Sequence, residues 1–214
     1  MCGVVALATS NPRHETSQWT RALLLESRIR GLHAFGLAWH WDDRVHVMKF
    51  QRLDEWLQRA EMTLPAATAF LAHTRYSTSG DYLDEANNQP LATGSFALSC
   101  NGTIDMGTKA EMETKWETSL HTANDAELVL QDLVSGREPQ ARFTQARASF
   151  AGCWLAGPKL YALRNEERPL WSWSPEPRTV LVASTADIFH RAIPSSQPTL
   201  LAPDVIHWMN PWIG

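Results

Sequence analysis

Apolar and polar positions along this chain change period repeatedly, from runs that read as strands to stretches with helical spacing. The first apolar run, Gly3 to Ala8, begins almost at the N-terminus and reads as a buried strand, which sets Cys2 at its leading end. From Ser17 to Ile29 the residues Trp19, Leu23, Leu24 and Ile29 recur at helical spacing, and Gly31 closes that helix. Gly36 to Trp41 and Val45 to Phe50 predict a hairpin about the polar turn Asp42-Asp43-Arg44. Leu53 to Glu61 predicts a second helix, ended by Pro65. Ala69 to His73 and Phe96 to Cys100 read as apolar strands, each delivering a polar cluster at its end. Ala123 to Val134 predicts a helix with Asn124 or Asp125 near its cap and Leu128, Val129 and Leu133 on one face. Later come short strand-like runs, Trp154 to Ala156, Lys159 to Leu163 and Thr179 to Ala183. This order is unlike the alternation of a doubly wound sheet, and no repeat, low-complexity tract or linker interrupts it.

Composition narrows the classes. A chain of 214 residues that is 44% hydrophobic can bury a sizeable core and is expected to form one domain over 1–214, with a Pro- and Trp-rich tail from about 194 to 214. A net charge of -4 and a pI near 6.0 argue against general nucleic-acid or anionic-membrane binding, which need basic faces. The expected substrate is therefore small, or the partner a protein. No apolar stretch approaches the roughly 20 residues that span a bilayer, the first residues lack a signal-peptide plan, and a cytoplasmic location is expected. Cys2, Cys100 and Cys153 form no CxxC pair and suggest neither a disulfide framework nor a zinc knuckle. Of the ten tryptophans, Trp171, Trp173, Trp208 and Trp212 cluster late, where core packing is expected ahead of a partner surface. His40, His46, His121, His190 and His207 show no ligand spacing, and no metal or cofactor is expected.

Chemistry is visible at a few positions. Removal of Met1 would make Cys2 N-terminal, joining thiol and free α-amine on one residue so that the amine serves as base for its own nucleophile. A free cysteine that simply packs as a small hydrophobe is the competing reading. His73-Thr74-Arg75-Tyr76-Ser77-Thr78-Ser79-Gly80 places an arginine and several hydroxyls after an apolar strand, suited to gripping a carboxylate, although a structural salt bridge explains Arg75 equally well. Asn101-Gly102 could supply two donors to an oxyanion or could be a tight turn. Asp125 could cap a helix or pair with a substrate ammonium. Cys100 lacks a nearby base and reads as packing.

Taken in order, these pieces resemble the class II glutamine amidotransferase domain. The chain opens Cys2-Gly3-Val4-Val5-Ala6 and continues with Arg30-Gly31-Leu32-His33-Ala34-Phe35-Gly36. His73 to Gly80 matches the family's His-Thr-Arg-Tyr/Trp-x-Thr-x-Gly signature, and Asn87-Asn88-Gln89-Pro90 matches Asn-x-Gln-Pro. Asn101-Gly102 and Asp125-Ala126-Glu127 follow, and weaker similarity runs through Phe150-Ala151-Gly152, Leu163-Arg164-Asn165, Arg168-Pro169-Leu170 and Ala183-Ser184 to about Ile193. His33-Ala34 stands where the family often has Asp-Ser, Cys100 where a histidine often precedes Asn-Gly, and Arg164-Asn165 where Arg-Asp is usual.

The resemblance implies an α+β fold, the four-layer αββα sandwich of N-terminal nucleophile hydrolases, two antiparallel sheets between helical layers. It implies glutamine hydrolysis to glutamate and ammonia through a γ-glutamyl thioester on Cys2, with Asn101 and Gly102 as oxyanion donors. Arg75, helped by Tyr76, Thr78 and Ser79, would hold the α-carboxylate, Asp125 the α-ammonium, and Arg30 would support the catalytic terminus. Ammonia would pass to a separate synthetase or transferase partner, since no acceptor site and no P-loop is legible in the chain. A stand-alone hydrolase of γ-glutamyl amides is the alternative, and a catalytically silent regulatory or binding module a third reading.

Overall fold

The computed structural model describes residues 1–211, so Trp212 lies outside the described residues. The chain runs β1 (Gly3–Thr9), α1 (His14–Ser27), β2 (Ala34–Trp41), β3 (Arg44–Phe50), α2 (Leu53–Thr63), β4 (Ala69–Arg75), β5 (Leu91–Thr93) and β6 (Phe96–Thr103). It continues through α3 (Lys109–Trp116), α4 (Ala126–Val134), α5 (Gln140–Ala146), β7 (Ser149–Ala156), β8 (Lys159–Arg164), β9 (Trp171–Trp173), β10 (Thr179–Ala183), α6 (Ala186–Ala192), β11 (Thr199–Leu200) and β12 (His207–Trp208).

The strands form two antiparallel sheets, ordered β11-β9-β10-β1-β4-β2-β3 and β12-β8-β7-β6-β5. Strand periodicity explains how four layers result. On β1, Val5 and Leu7 face a core shared with Leu23 and Leu24 of α1, Trp56 of α2 and Phe189 of α6, while Val4, Ala6 and Ala8 face the second sheet. The second sheet meets them with Ala97, Ala151, Cys153 and Leu155, and turns Leu98, Cys100, Phe150 and Trp154 toward Met112 of α3, Leu128 of α4 and Phe143 of α5. The inter-sheet layer is rich in alanine, which suits close approach of two sheets. This is the αββα sandwich that the resemblance implied.

β1 is buried along its whole length because it has a strand on either side and a layer on either face. Its neighbours β4 and β10 are remote in sequence, so the segment that starts the chain is held by residues up to 180 positions away, as in the Val4 amide donating to Ser184 Oγ at 2.8 Å. Several predicted boundaries shift. α1 begins at His14 and passes into a 3₁₀ turn at Arg28–Arg30, which leaves Ile29 58% exposed instead of on the buried face. The β2–β3 turn needs only Asp42 and Asp43, both at positive φ (51° and 56°), so Arg44 belongs to the strand. β4 and β6 extend past their apolar runs to Arg75 and Thr103, which puts Arg75, Asn101 and Gly102 inside strands and removes the tight-turn reading of Asn101-Gly102. β7 likewise starts earlier, at Ser149.

Candidate active site

Cys2 sits where β1 leaves the middle of the first sheet, and by alternation with Val4 and Ala6 it faces the second sheet. Asn101 reaches toward it from β6 on the opposite sheet, sharing a face with Ala97. The Cys2 backbone nitrogen donates to Asn101 Oδ1 at 3.1 Å. Asn101 is buried, and its Nδ2 has no hydrogen-bond partner among the described residues. One amide therefore holds the nitrogen of Cys2 with its oxygen and keeps two unpaired N–H donors next to that residue. An unpaired buried donor costs about 1–3 kcal/mol, a penalty that an anionic oxygen placed there would relieve.

The nitrogen of Cys2 is here the amide of the Met1–Cys2 peptide and marks the position that a free α-amine would take if Met1 were removed. Met1 itself is 63% exposed. Arg30, at the end of the 3₁₀ turn, donates from Nε to the Cys2 carbonyl at 2.8 Å and so fixes the residue from its C-terminal side. The thiol points at the Tyr76 carbonyl, with Sγ and O 3.5 Å apart. Burial holds the Cys2 thiol above its ordinary value, against the pull of the nearby positive charges of the N-terminal amine, Arg75 and Arg30. A thiol so placed is neutral near pH 7 and needs a base at the moment of attack.

Gly102 has a packing requirement of its own. A Cβ at that position would lie 2.0 Å from the Ser149 carbonyl oxygen on β7, so only glycine lets the two strands pair there. Gly31, between the 3₁₀ turn and β2, is equally tight, since a Cβ there would stand 2.2 Å from the Arg75 carbonyl carbon at the end of β4.

The segment after β4 builds the other wall. Arg75 is buried and donates to Asn88 Oδ1, to the Ser79 carbonyl and, at 3.1 Å, to the Gly80 carbonyl, which ties residues 79 and 80 back onto the strand end. No salt bridge involves it among the described residues, so the ion-pair explanation of Arg75 does not hold. Ser79 Oγ donates to Asp125 Oδ1 at 3.0 Å, while Asp125 Oδ2 accepts from the amides of Ile104 (2.6 Å) and Asp105 (3.1 Å). Asp125 makes no capping bond to α4, whose Ala126 amide is instead met by Asn124 Oδ1 at 3.0 Å. Capping therefore fails as the account of Asp125, whose buried carboxyl is pushed up by burial against the hydrogen bonds from Ile104, Asp105 and Ser79. Thr78 is exposed on the same segment, and Tyr76 presents its carbonyl to Cys2 and its ring to His33. Thr78, Ser79 and Thr103 line a cleft of about 360 Å³ that continues past Met106. A larger cleft of about 650 Å³, lined by Phe143, Arg147 and Glu166, shares Thr103 and Met106 with it but reaches none of Cys2, Arg75, Asn101 and Asp125.

Some contributors were not assigned roles from sequence. Gln89 Oε1 accepts the Cys100 amide at 2.6 Å, Asn88 braces Arg75, and Asn87 Oδ1 accepts the Ala123 amide at 2.7 Å, so the Asn-Asn-Gln run links β4, β6 and the start of α4. Glu127 accepts from the His121 and Thr122 amides, both at 2.7 Å. Cys100 is buried on the helix-facing side of β6, with its thiol pushed well up by burial, so it faces away from Cys2. At Arg164-Asn165 carbonyls replace the ion pair: Arg164 Nε donates to the Leu201 carbonyl at 2.7 Å, and Asn165 bridges the Phe150 amide and the Ala148 carbonyl. Among the described residues no cluster of His, Cys, Asp and Glu could hold a metal, and no helix is long and apolar enough to cross a membrane.

Neither a protein-family model nor a curated protein matches the chain. Solved structures do. Glutamine phosphoribosylpyrophosphate amidotransferase from B. subtilis superposes with a TM-score of 0.73 at 20% identity over 98% of this chain. A structure described as the allosteric regulatory enzyme of purine biosynthesis gives 0.71 at 20% identity, also over 98%. The chain spans about half the length of each, 47%. A glutamine aminotransferase class-II domain protein from Silicibacter pomeroyi matches over 98% of this chain and 99% of its own, with a TM-score of 0.59 and 15% identity. Two antiparallel sheets between helical layers, with Cys2 leading the central strand, give this chain the N-terminal nucleophile hydrolase fold of class II glutamine amidotransferase domains.

Proposed function

We propose that the protein is the ammonia-generating component of a glutamine-dependent amidotransferase. The observation that carries this is the pairing of the Cys2 nitrogen with Asn101 Oδ1 while Asn101 Nδ2 stays buried and unpartnered. After loss of Met1, the free α-amine of Cys2 takes the proton from Sγ as sulfur bonds to the glutamine side-chain carbonyl carbon. The tetrahedral oxyanion receives N–H donation from Asn101 Nδ2, with the Gly102 amide as the second donor, an effect of about 2.7–4 kcal/mol per donor in hydrolases where it has been measured. The ammonium of Cys2 then protonates the leaving nitrogen, the carbon–nitrogen bond breaks, and ammonia departs from a γ-glutamyl thioester. Water attacks the thioester with the same amine as base and releases glutamate.

Recognition uses the opposite wall. The glutamine α-carboxylate takes over donors of Arg75 now spent on the Ser79 and Gly80 carbonyls, because a carboxylate is the stronger acceptor, with Thr78, Ser79 and Tyr76 around it. The α-ammonium pairs with Asp125. Ammonia passes to a separate synthetase or transferase, the reading supported by the domain fold shared with amidotransferases. Steady-state glutaminase assays test the proposal. Cys2→Ala should abolish turnover, Cys100→Ser should keep most of it, and addition of the acceptor enzyme should raise a weak basal rate. Full activity of Cys2→Ala would end the proposal, and full partner-independent activity, greater on another γ-glutamyl amide, would favour the stand-alone hydrolase.

A further inference from the structure

His33 occupies a point where three chain segments meet. Its backbone amide donates to the Arg75 carbonyl at 3.0 Å, directly before Tyr76 turns away from the sheet. Its Nδ1 accepts from the Ser77 amide at 3.0 Å, which sets the ring N–H on Nε2. Its ring is stacked between two tyrosines, Tyr76 and Tyr82, each with a centroid distance of 4.9 Å and an interplanar angle of 25°. Ser77 Oγ in turn donates to the Gly80 carbonyl at 2.8 Å, so the same clip reaches the residues that Arg75 holds. The Tyr76 carbonyl that His33 helps to place is the group facing Cys2 Sγ.

We propose that His33 is a positioning residue for the substrate-facing segment: by accepting the Ser77 amide and stacking between Tyr76 and Tyr82, it latches residues 76–82 over Cys2 and so sets the affinity for glutamine. An imidazole meets both demands of this position, since its flat face satisfies two aromatic rings while a lone pair in its edge satisfies a backbone donor. A carboxylate supplies the acceptor but no ring, and a phenyl supplies the ring but no acceptor. Without the latch, the bonds that remain to residues 79–82, from Arg75 to the Ser79 and Gly80 carbonyls, from Asn87 to Asp81, from Gln51 and Asn88 to Tyr82 and from Ser79 Oγ to Asp125, hold the far end of the segment, and the Tyr76 carbonyl loses its fixed place.

The proposal rests on the glutaminase reading, and the experiment separates the two. The full chain is compared with His33→Ala, with His33→Phe, which keeps the ring, and with His33→Asn, which keeps an acceptor near the Nδ1 position. Thermal melting serves as the folding control, and if His33→Ala fails to fold, the two conservative variants carry the comparison. Exchange of the Ser77 amide reads the latch without any substrate. Protection should fall at least tenfold in His33→Ala and His33→Phe and be largely restored in His33→Asn. For glutamine, His33→Ala should raise KM about tenfold while kcat and the rate of Cys2 alkylation by iodoacetamide stay within about twofold, and both conservative variants should recover part of the loss. Unchanged Ser77 exchange overturns the latch, and lost protection with an unmoved KM overturns its positioning role. Absence of glutamine turnover in the unsubstituted protein, with His33-dependent protection intact, retires the glutaminase reading and leaves the latch standing.

Discussion

In the proposed mechanism Asn101 does two jobs with two atoms, and substitution to aspartate takes them apart. Asn101→Asp keeps an oxygen where Oδ1 now accepts the Cys2 nitrogen and replaces the unpartnered Nδ2 with a second acceptor. Loss of one oxyanion donor is worth about 2.7–4 kcal/mol, a fall in kcat of about 10²–10³. The new carboxylate also stabilises the protonated α-amine at about 3 Å, so the amine should hold its proton to higher pH and the acid limb of the kcat/KM profile should move toward alkaline pH. Asn101→Ala removes donor and acceptor together and should lose a comparable factor in kcat, with a further loss of about fivefold for one neutral hydrogen bond of about 1 kcal/mol, and without the alkaline shift. The assay is steady-state glutamine hydrolysis across pH for both variants. KM should change little in either, because the proposed recognition of the charged ends of glutamine uses Arg75 and Asp125 instead. A kcat for Asn101→Asp within tenfold of the unsubstituted protein would refute the donor role of Nδ2, and a defect confined to KM would move Asn101 to recognition.

Asp125→Asn should retain the Ile104 and Asp105 bonds through its oxygen but lose the charge, raising the glutamine KM by about tenfold or more and narrowing the preference over γ-glutamyl amides without an α-ammonium, as competition kinetics would show. Gly102→Ala would drive a Cβ to within 2.0 Å of the Ser149 carbonyl, so calorimetry should find a stability loss of about 1–3 kcal/mol with activity falling as well. Burial, reinforced by the charge of Arg75, holds His73 pushed down to about 3, whereas an unfolded histidine titrates near 6.5, so the unfolded chain binds the extra proton between those values. The stability it contributes is complete above pH ~6.5 and is lost as pH falls toward 3, by up to about 5 kcal/mol; urea midpoints across that range should drop less steeply in His73→Phe.

Much of the site was legible because its residues flank continuous apolar runs. The run after Cys2 marked a buried strand, and that strand carries Cys2 into the middle of the first sheet. Strand ends were harder to read. Thr74, Arg75, Asn101 and Gly102 look like loop residues in sequence because the inner face of each strand turns polar where it opens onto the site, yet β4 and β6 continue through them. α3 and α5 escaped notice because each buries so little, Met112 in one and Phe143 in the other, leaving no helical stripe to detect. Which strands flank β1 could not be read locally, since its partners are β4 and the far β10. The His33 departure from the family's Asp was visible, but its meaning needed Tyr76 and Tyr82 on either side of the ring.

The central claim is that Cys2, freed of Met1, is the nucleophile. Mass spectrometry of the purified protein, before and after reaction with diazo-oxo-norleucine, tests it most directly. The intact mass should correspond to a chain beginning at Cys2, and peptide mapping should place a single adduct on that residue, with none on the buried Cys100 or Cys153 and none at all in Cys2→Ala. A fully active protein that retains Met1, or an adduct on Cys100, would contradict the account.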